Sequence, residues 1–92
     1  MAKLKRLTVK IKGLVQGVSF RYWTIIKARE LGLNGFVRNE PDGSVLAVAE
    51  GPEPKLKEFL AWCKTGPQYA QVKKVEANWG PATREFGDFQ VK

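Results

Sequence analysis

A chain of 92 residues with 43% hydrophobic content has material for one ordinary core, so a single domain spanning residues 1–92 is expected. No apolar stretch reaches membrane-spanning length, the lysine-rich start runs into an alternating pattern, and Cys63 stands alone, which excludes membrane, disulfide-framework and cysteine-zinc classes and predicts a cytoplasmic address. Sixteen Lys and Arg against nine Asp and Glu, a net +7, favour anionic partners, although the charges are spread along the chain and much of the excess reads as solvated surface.

Leu7, Val9 and Ile11 alternate with Thr8, Lys10 and Lys12, the period-two pattern of a strand with one buried and one wet face. The strand reaches Gly13. After the loop that follows, the stretch SFRYWTIIKARELG predicts a helix with Ser19 as cap and Gly32 as stop. Its apolar residues fall on several faces, so length and punctuation carry this helix more than periodicity does.

The segment NGFVRNEPDGSVLAVAEG predicts two strands joined by a turn at Pro41, Asp42 and Gly43. Pro52 and Pro54 then open a second helix, whose Leu56, Phe59, Leu60 and Cys63 recur at i, i+3, i+4 and i+7 before Gly66 and Pro67. Cys63 reads as a core residue. Val75, Ala77 and Trp79 alternate in a fourth strand, and Phe86, Phe89 and Val91 suggest a short final one.

The order is the split βαβ of an α+β, ferredoxin-like βαββαβ sandwich with an extra short C-terminal strand: an antiparallel sheet covered on one face by two helices. In that topology strand three separates strands one and two, which end at the same sheet edge. The loop after strand one therefore comes near Asn39, across a gap of two strand spacings, about 10 Å.

That loop, VQGVSFR, carries Gly13 and Gly17 on either side of Val15 and Gln16, and leads into a helix start. Glycine freedom lets successive N–H groups turn inward, the helix start adds further unpaired N–H groups and partial positive charge, and Arg21 offers a planar fork for two phosphate oxygens. A cation in the first helical turn is unfavourable to the helix itself, which an anion would explain. The alternative is a plain turn in which Val15, Val18 and Phe20 pack inward and Arg21 is solvated; local physics leaves both open. The loop lacks the GK[ST] ending of a nucleotide P-loop.

The stretch GLVQGVSFR resembles the signature loop of the acylphosphatase family, and GLNGFVRNEPDGSVLAVAEG resembles its second signature, in the expected order. GPQYAQVKKVEANW and FGDFQVK are similar in layout, so the resemblance spans nearly the whole chain. Leu14 departs from it, standing where a polar or basic residue is common. The resemblance implies a hydrolase that cleaves the carboxyl-phosphate bond of acyl phosphates without metal or organic cofactor. On it, Arg21 matches the phosphate-binding arginine, Asn39 the residue that positions the attacking water, and Val15, Gln16, Gly17, Val18, Ser19 and Phe20 the phosphate cradle. It implies a small-molecule acyl phosphate substrate, with inorganic phosphate as product and competitive inhibitor, and a monomer that needs neither nucleic acid nor membrane.

The residue inventory agrees with that economy. Without histidine there is neither a phosphohistidine nor a Ser-His-Asp triad. Six residues after Cys63 comes Tyr69, not the arginine of a cysteine phosphatase, while Ser19 lacks a base and Asp42 and Asp88 are isolated turn residues. Two other classes compete. RNA-recognition domains share the element order, but LTVKI and SVLAVAE carry no aromatic for base stacking. A regulatory module could hold an anionic effector in the same loop without turnover.

Overall fold

A computed structural model describes residues 3–92; Met1 and Ala2 lie outside the described residues. The elements are β1 (Leu4–Leu14), α1 (Phe20–Glu30), β2 (Asn34–Asn39), β3 (Val45–Pro52), α2 (Glu53–Thr65), β4 (Gln71–Pro81) and β5 (Phe89–Val91). They form one sheet of order β4-β1-β3-β2-β5. Leu7, Val9 and Ile11 of β1 and Val45, Ala47 and Ala49 of β3 point to one side and are fully buried, where they meet Leu56, Phe59 and Cys63 of α2 and Phe20 and Ala28 of α1. Burial pushes the Cys63 thiol up to about 12, as expected of an apolar core residue.

The expected ferredoxin-like arrangement is present, with one correction. The first four strands pair antiparallel, but β5 runs parallel to β2, so the sheet is mixed. The direction follows from where β4 ends. β1 and β2 point the same way because both oppose β3, and β4, antiparallel to β1, finishes where β1 and β2 begin. Residues 82–88 cross the open sheet face at that end, and the chain then has to run alongside β2 in its own direction.

Helix α1 ends in a two-bond closure: Gly32 N–H donates to Arg29 O at 3.0 Å and Leu33 N–H to Ala28 O at 2.9 Å, the Schellman arrangement. Only Phe20, Thr24 and Ala28 of this helix are buried. The Thr24 hydroxyl is satisfied by donating to Phe20 O at 2.7 Å. Tyr22, Trp23 and Ile26 remain exposed, which explains why the apolar pattern of the sequence has no single face.

The crossing segment is held by Glu50, 6% exposed on β3. Its carboxylate accepts from Thr83 N–H at 2.8 Å, the Thr83 hydroxyl at 3.1 Å and Arg84 N–H at 2.9 Å, with Arg6 at 3.8 Å. Burial alone would raise its pKa, but these donors outweigh burial and hold it below the ordinary glutamate value. A depressed carboxylate pKa contributes stability that is complete above the unfolded value, about 4.3, and is lost as pH falls through the folded one. Glu50→Gln replaces one acceptor with an amide that faces the donors, and is expected to cost about 1–3 kcal/mol at neutral pH. Denaturant unfolding of parent and variant should show that gap at pH 7 and its shrinkage below pH 4; a gap independent of pH contradicts the assignment.

Candidate active site

The site begins where β1 stops being regular. Between Lys12 and Gly13 the register with β4 shifts, and a Cβ at Gly13 would stand 2.1 Å from Gln71 O, so only glycine fits the bulge. The chain then leaves the sheet and curls. Gly17 (φ +76°) and Ser19 (φ +61°) both adopt left-handed backbone, which serine tolerates at a cost of about 1–2 kcal/mol. Left-handed residues alternating with others turn successive N–H groups to one side and make a concavity that suits anions.

Those N–H groups are unspent. The first amide of α1 to find a main-chain acceptor is that of Trp23, which donates to Ser19 O at 3.2 Å; among the described residues the N–H groups from Gln16 through Tyr22 have no backbone partner. Ser19 occupies the N-cap position, yet its left-handed backbone leaves the hydroxyl without the capping bond expected of it. Helix α1 carries no acidic residue in its first turn. The field at this helix start is positive and uncompensated.

Side chains fix the loop from behind. Val15 and Phe20 are buried in the core, at 1% and 2% exposure, and Val18 packs against it, so the inward packing and the outward N–H groups coexist. Gln16 does something its sequence context does not reveal: its side-chain amide donates to Glu40 O at 2.8 Å and Ser44 O at 2.9 Å. Both acceptors lie in the β2–β3 turn. That turn is itself held by Glu40 N–H to Ser44 O at 2.8 Å and by Asp42, whose carboxylate accepts the Ser44 hydroxyl at 2.5 Å and Ser44 N–H at 3.0 Å and pairs with Lys10 at 2.9 Å. The Ser44 hydroxyl first, then Lys10, keeps the Asp42 carboxyl far below the usual carboxylate range.

Register brings Asn39 to the loop. Val45 of β3 pairs with Ile11 of β1 on one side and Asn39 of β2 on the other, so Asn39 lies level with Ile11 at two strand spacings, about 10 Å. It shares the helix-facing side with Val37. A cleft of about 550 Å³ is lined by Val15, Gly17, Ser19, Phe20, Arg21 and Asn39, with Tyr22, Ile25 and Val91 completing its wall. Val18 and Gln16 stand outside that lining. Asn39 Oδ1 is buried and accepts no hydrogen bond among the described residues. Arg21 is exposed, and it takes part in none of the ion pairs among the described residues.

One cleft is thus lined by an arginine in no ion pair, by Gly17, Ser19 and Phe20, whose amides have no backbone partner, and by Asn39, whose Oδ1 is buried without one. A buried acceptor without a partner costs about 1–3 kcal/mol. The arrangement can bind a tetrahedral anion and hold a water beside it.

The chain is similar to several known proteins. The acylphosphatase of Marinobacter nauticus is 51% identical over 88 residues, covering 96% of each chain. That of Chloroflexus aurantiacus is 47% identical over 88 residues, again covering 96% of each. Among solved structures, acylphosphatase from Bacillus subtilis superposes with a TM-score of 0.92 at 31% identity, covering 96% of this chain and 98% of its own. The acylphosphatase from Coxiella burnetii gives 0.91 at 33% identity, covering 98% and 94%. The Acylphosphatase family model matches residues 7–91, and with relatives this similar over nearly its full length, the chain belongs to the acylphosphatase family.

Proposed function

We propose that this chain hydrolyses acyl phosphates to a carboxylate and inorganic phosphate, with Arg21 and the 15–21 loop binding the phosphoryl group and Asn39 positioning the attacking water. The observation that carries the reading is that Asn39 and Arg21, the latter in no ion pair among the described residues, line one cleft with the phosphate loop. Residues 1–92 act as one domain, and a monomer suffices because both residues line one cleft of one chain. Cys63, buried and single, needs no oxidising compartment and agrees with a cytoplasmic setting.

The chemistry asks for little more. Phosphoryl transfer has a loose transition state with charge spread over three equatorial oxygens, so catalysis is mostly positioning and electrostatic stabilisation. The amides of Val15 through Phe20 and the Arg21 fork meet those oxygens. The Asn39 amide holds water in line. The water oxygen bonds to phosphorus as the bond from phosphorus to the carboxylate oxygen breaks; the electron pair leaves with the carboxylate, and the water proton passes to the phosphate formed. The leaving group's conjugate acid has a pKa of about 4, so no general acid is required. No cofactor enters the scheme.

A nucleic-acid role is disfavoured by the open sheet face. Phe36 is the aromatic of the NGFVRN stretch, and it lies beneath Phe86, with ring centroids 5.8 Å apart, and beneath Lys92 at 4.4 Å. It presents no free face on which a base could stack.

Hydrolysis of benzoyl phosphate should persist in excess chelator, whereas a phosphate monoester, whose alkoxide leaves poorly without an acid, should be left almost untouched. Inorganic phosphate should compete with the substrate and raise the Tm by binding the folded state alone. A strict requirement for an added divalent ion, or purely non-competitive inhibition, would contradict the scheme. Arg21→Lys keeps the charge and loses the fork; kcat/KM should fall on the order of a hundredfold or more, with the far-ultraviolet circular dichroism of the parent. Near-parental turnover would make Arg21 ordinary surface.

A further inference from the structure

Helix α1 spends large apolar residues on solvent. Trp23 is 46% exposed, Ile26 39% and, across from them on the α2–β4 connection, Tyr69 74%. These residues are not scattered. Together with Trp62 they wall a groove of about 580 Å³ between α1 and the 67–69 segment, and the groove reaches the phosphate loop at Val18 and Ser19. Ser19 lines both this groove and the cleft that holds Asn39.

Trp62 forms the floor and is fixed by packing on Phe20 at 5.5 Å between ring centroids, tilted 58°. Trp23 is steadied by an edge contact with Tyr22 at 5.2 Å. The far end is closed by the Lys27–Glu30 pair, at 3.8 Å, whose charges neutralise each other. The interior therefore offers aromatic faces and no unpaired charge to a ligand.

Position decides what the groove receives. In-line displacement puts the attacking water and the leaving group on opposite sides of phosphorus. Asn39 approaches from the β2 and β5 side, while α2 and the 67–69 segment stand on the β4 side, with Ser19 between them. An acyl group leaving away from Asn39 enters the aromatic groove. We infer that this groove is the acyl subsite of the enzyme and that it takes aromatic acyl groups in preference to small or charged ones. The inference rests on the acyl phosphate reading above. Because the groove lies away from the reacting bond, its contacts are made equally in ground and transition states and should act on KM, leaving kcat alone.

Trp23→Ala and Tyr69→Ala remove the two exposed walls. Steady-state kinetics with benzoyl phosphate and acetyl phosphate should show KM for the benzoyl substrate rising about tenfold in each variant, as a lost apolar contact of this size does. Its kcat, all constants for acetyl phosphate and the inhibition constant of inorganic phosphate should stay at parental values. Two variants on separate segments keep the outcome readable if one packs poorly. Turnover of both substrates with their ratio unmoved by either substitution, or an equal loss with both, would overturn the subsite while leaving the hydrolase standing. Failure of the parent to hydrolyse either substrate would overturn the hydrolase, and the subsite with it.

Discussion

The structure depends on a loop that keeps its backbone donors unpaired. Protein chains normally satisfy their amides, yet from Gln16 through Tyr22 the N–H groups find no main-chain acceptor among the described residues. Two left-handed residues, Gly17 and Ser19, impose that arrangement, and the cost is borne by what lies behind them. Val15 and Phe20 are locked in the core, and Gln16 ties the loop to two carbonyls of a hairpin turn 24 and 28 residues away. The concavity is therefore preorganised; an anion would find the donors already turned.

The sheet provides the second half of the cleft by register alone. Because β3 separates β1 from β2, the end of β1 and the end of β2 lie at one edge, and pairing through Val45 sets Asn39 level with Ile11. The Gln16 bonds to Glu40 and Ser44 then couple the loop to the residue next to Asn39. Loop and Asn39 are thereby tied to one turn. For a reaction whose transition state asks chiefly for positioning, such coupling matters more than any single strong base.

Much of this was legible in the sequence, for identifiable reasons. The alternation of Leu7, Val9 and Ile11 reports a strand with one wet face, and the spacing of Leu56, Phe59 and Cys63 reports a helix on a core, because each pattern expresses burial directly. The signature stretches around Arg21 and Asn39 mark two residues that do line one cleft. What escaped depended on backbone partners. The acceptors of Gln16 are carbonyls, which every residue possesses, so nothing in the sequence points to them. The parallel direction of β5 follows from a crossing held by Glu50 to the amides of Thr83 and Arg84. The left-handed backbone of Ser19 is likewise a property of the assembled loop, since serine by itself suggests a helix cap.

In the proposed reaction Asn39 orients a water and the phosphate itself takes the proton. Asn39→Asp tests it directly, because the side chain keeps its size while exchanging amide donors for a negative charge beside the phosphoryl group. Turnover of an acyl phosphate by the purified variant, with folding checked by thermal melting, separates the two possibilities. Positioning predicts a loss of orders of magnitude in kcat with the melting transition retained. Parental or faster turnover by Asn39→Asp would mean that a base operates at this position, and would contradict the water-positioning role.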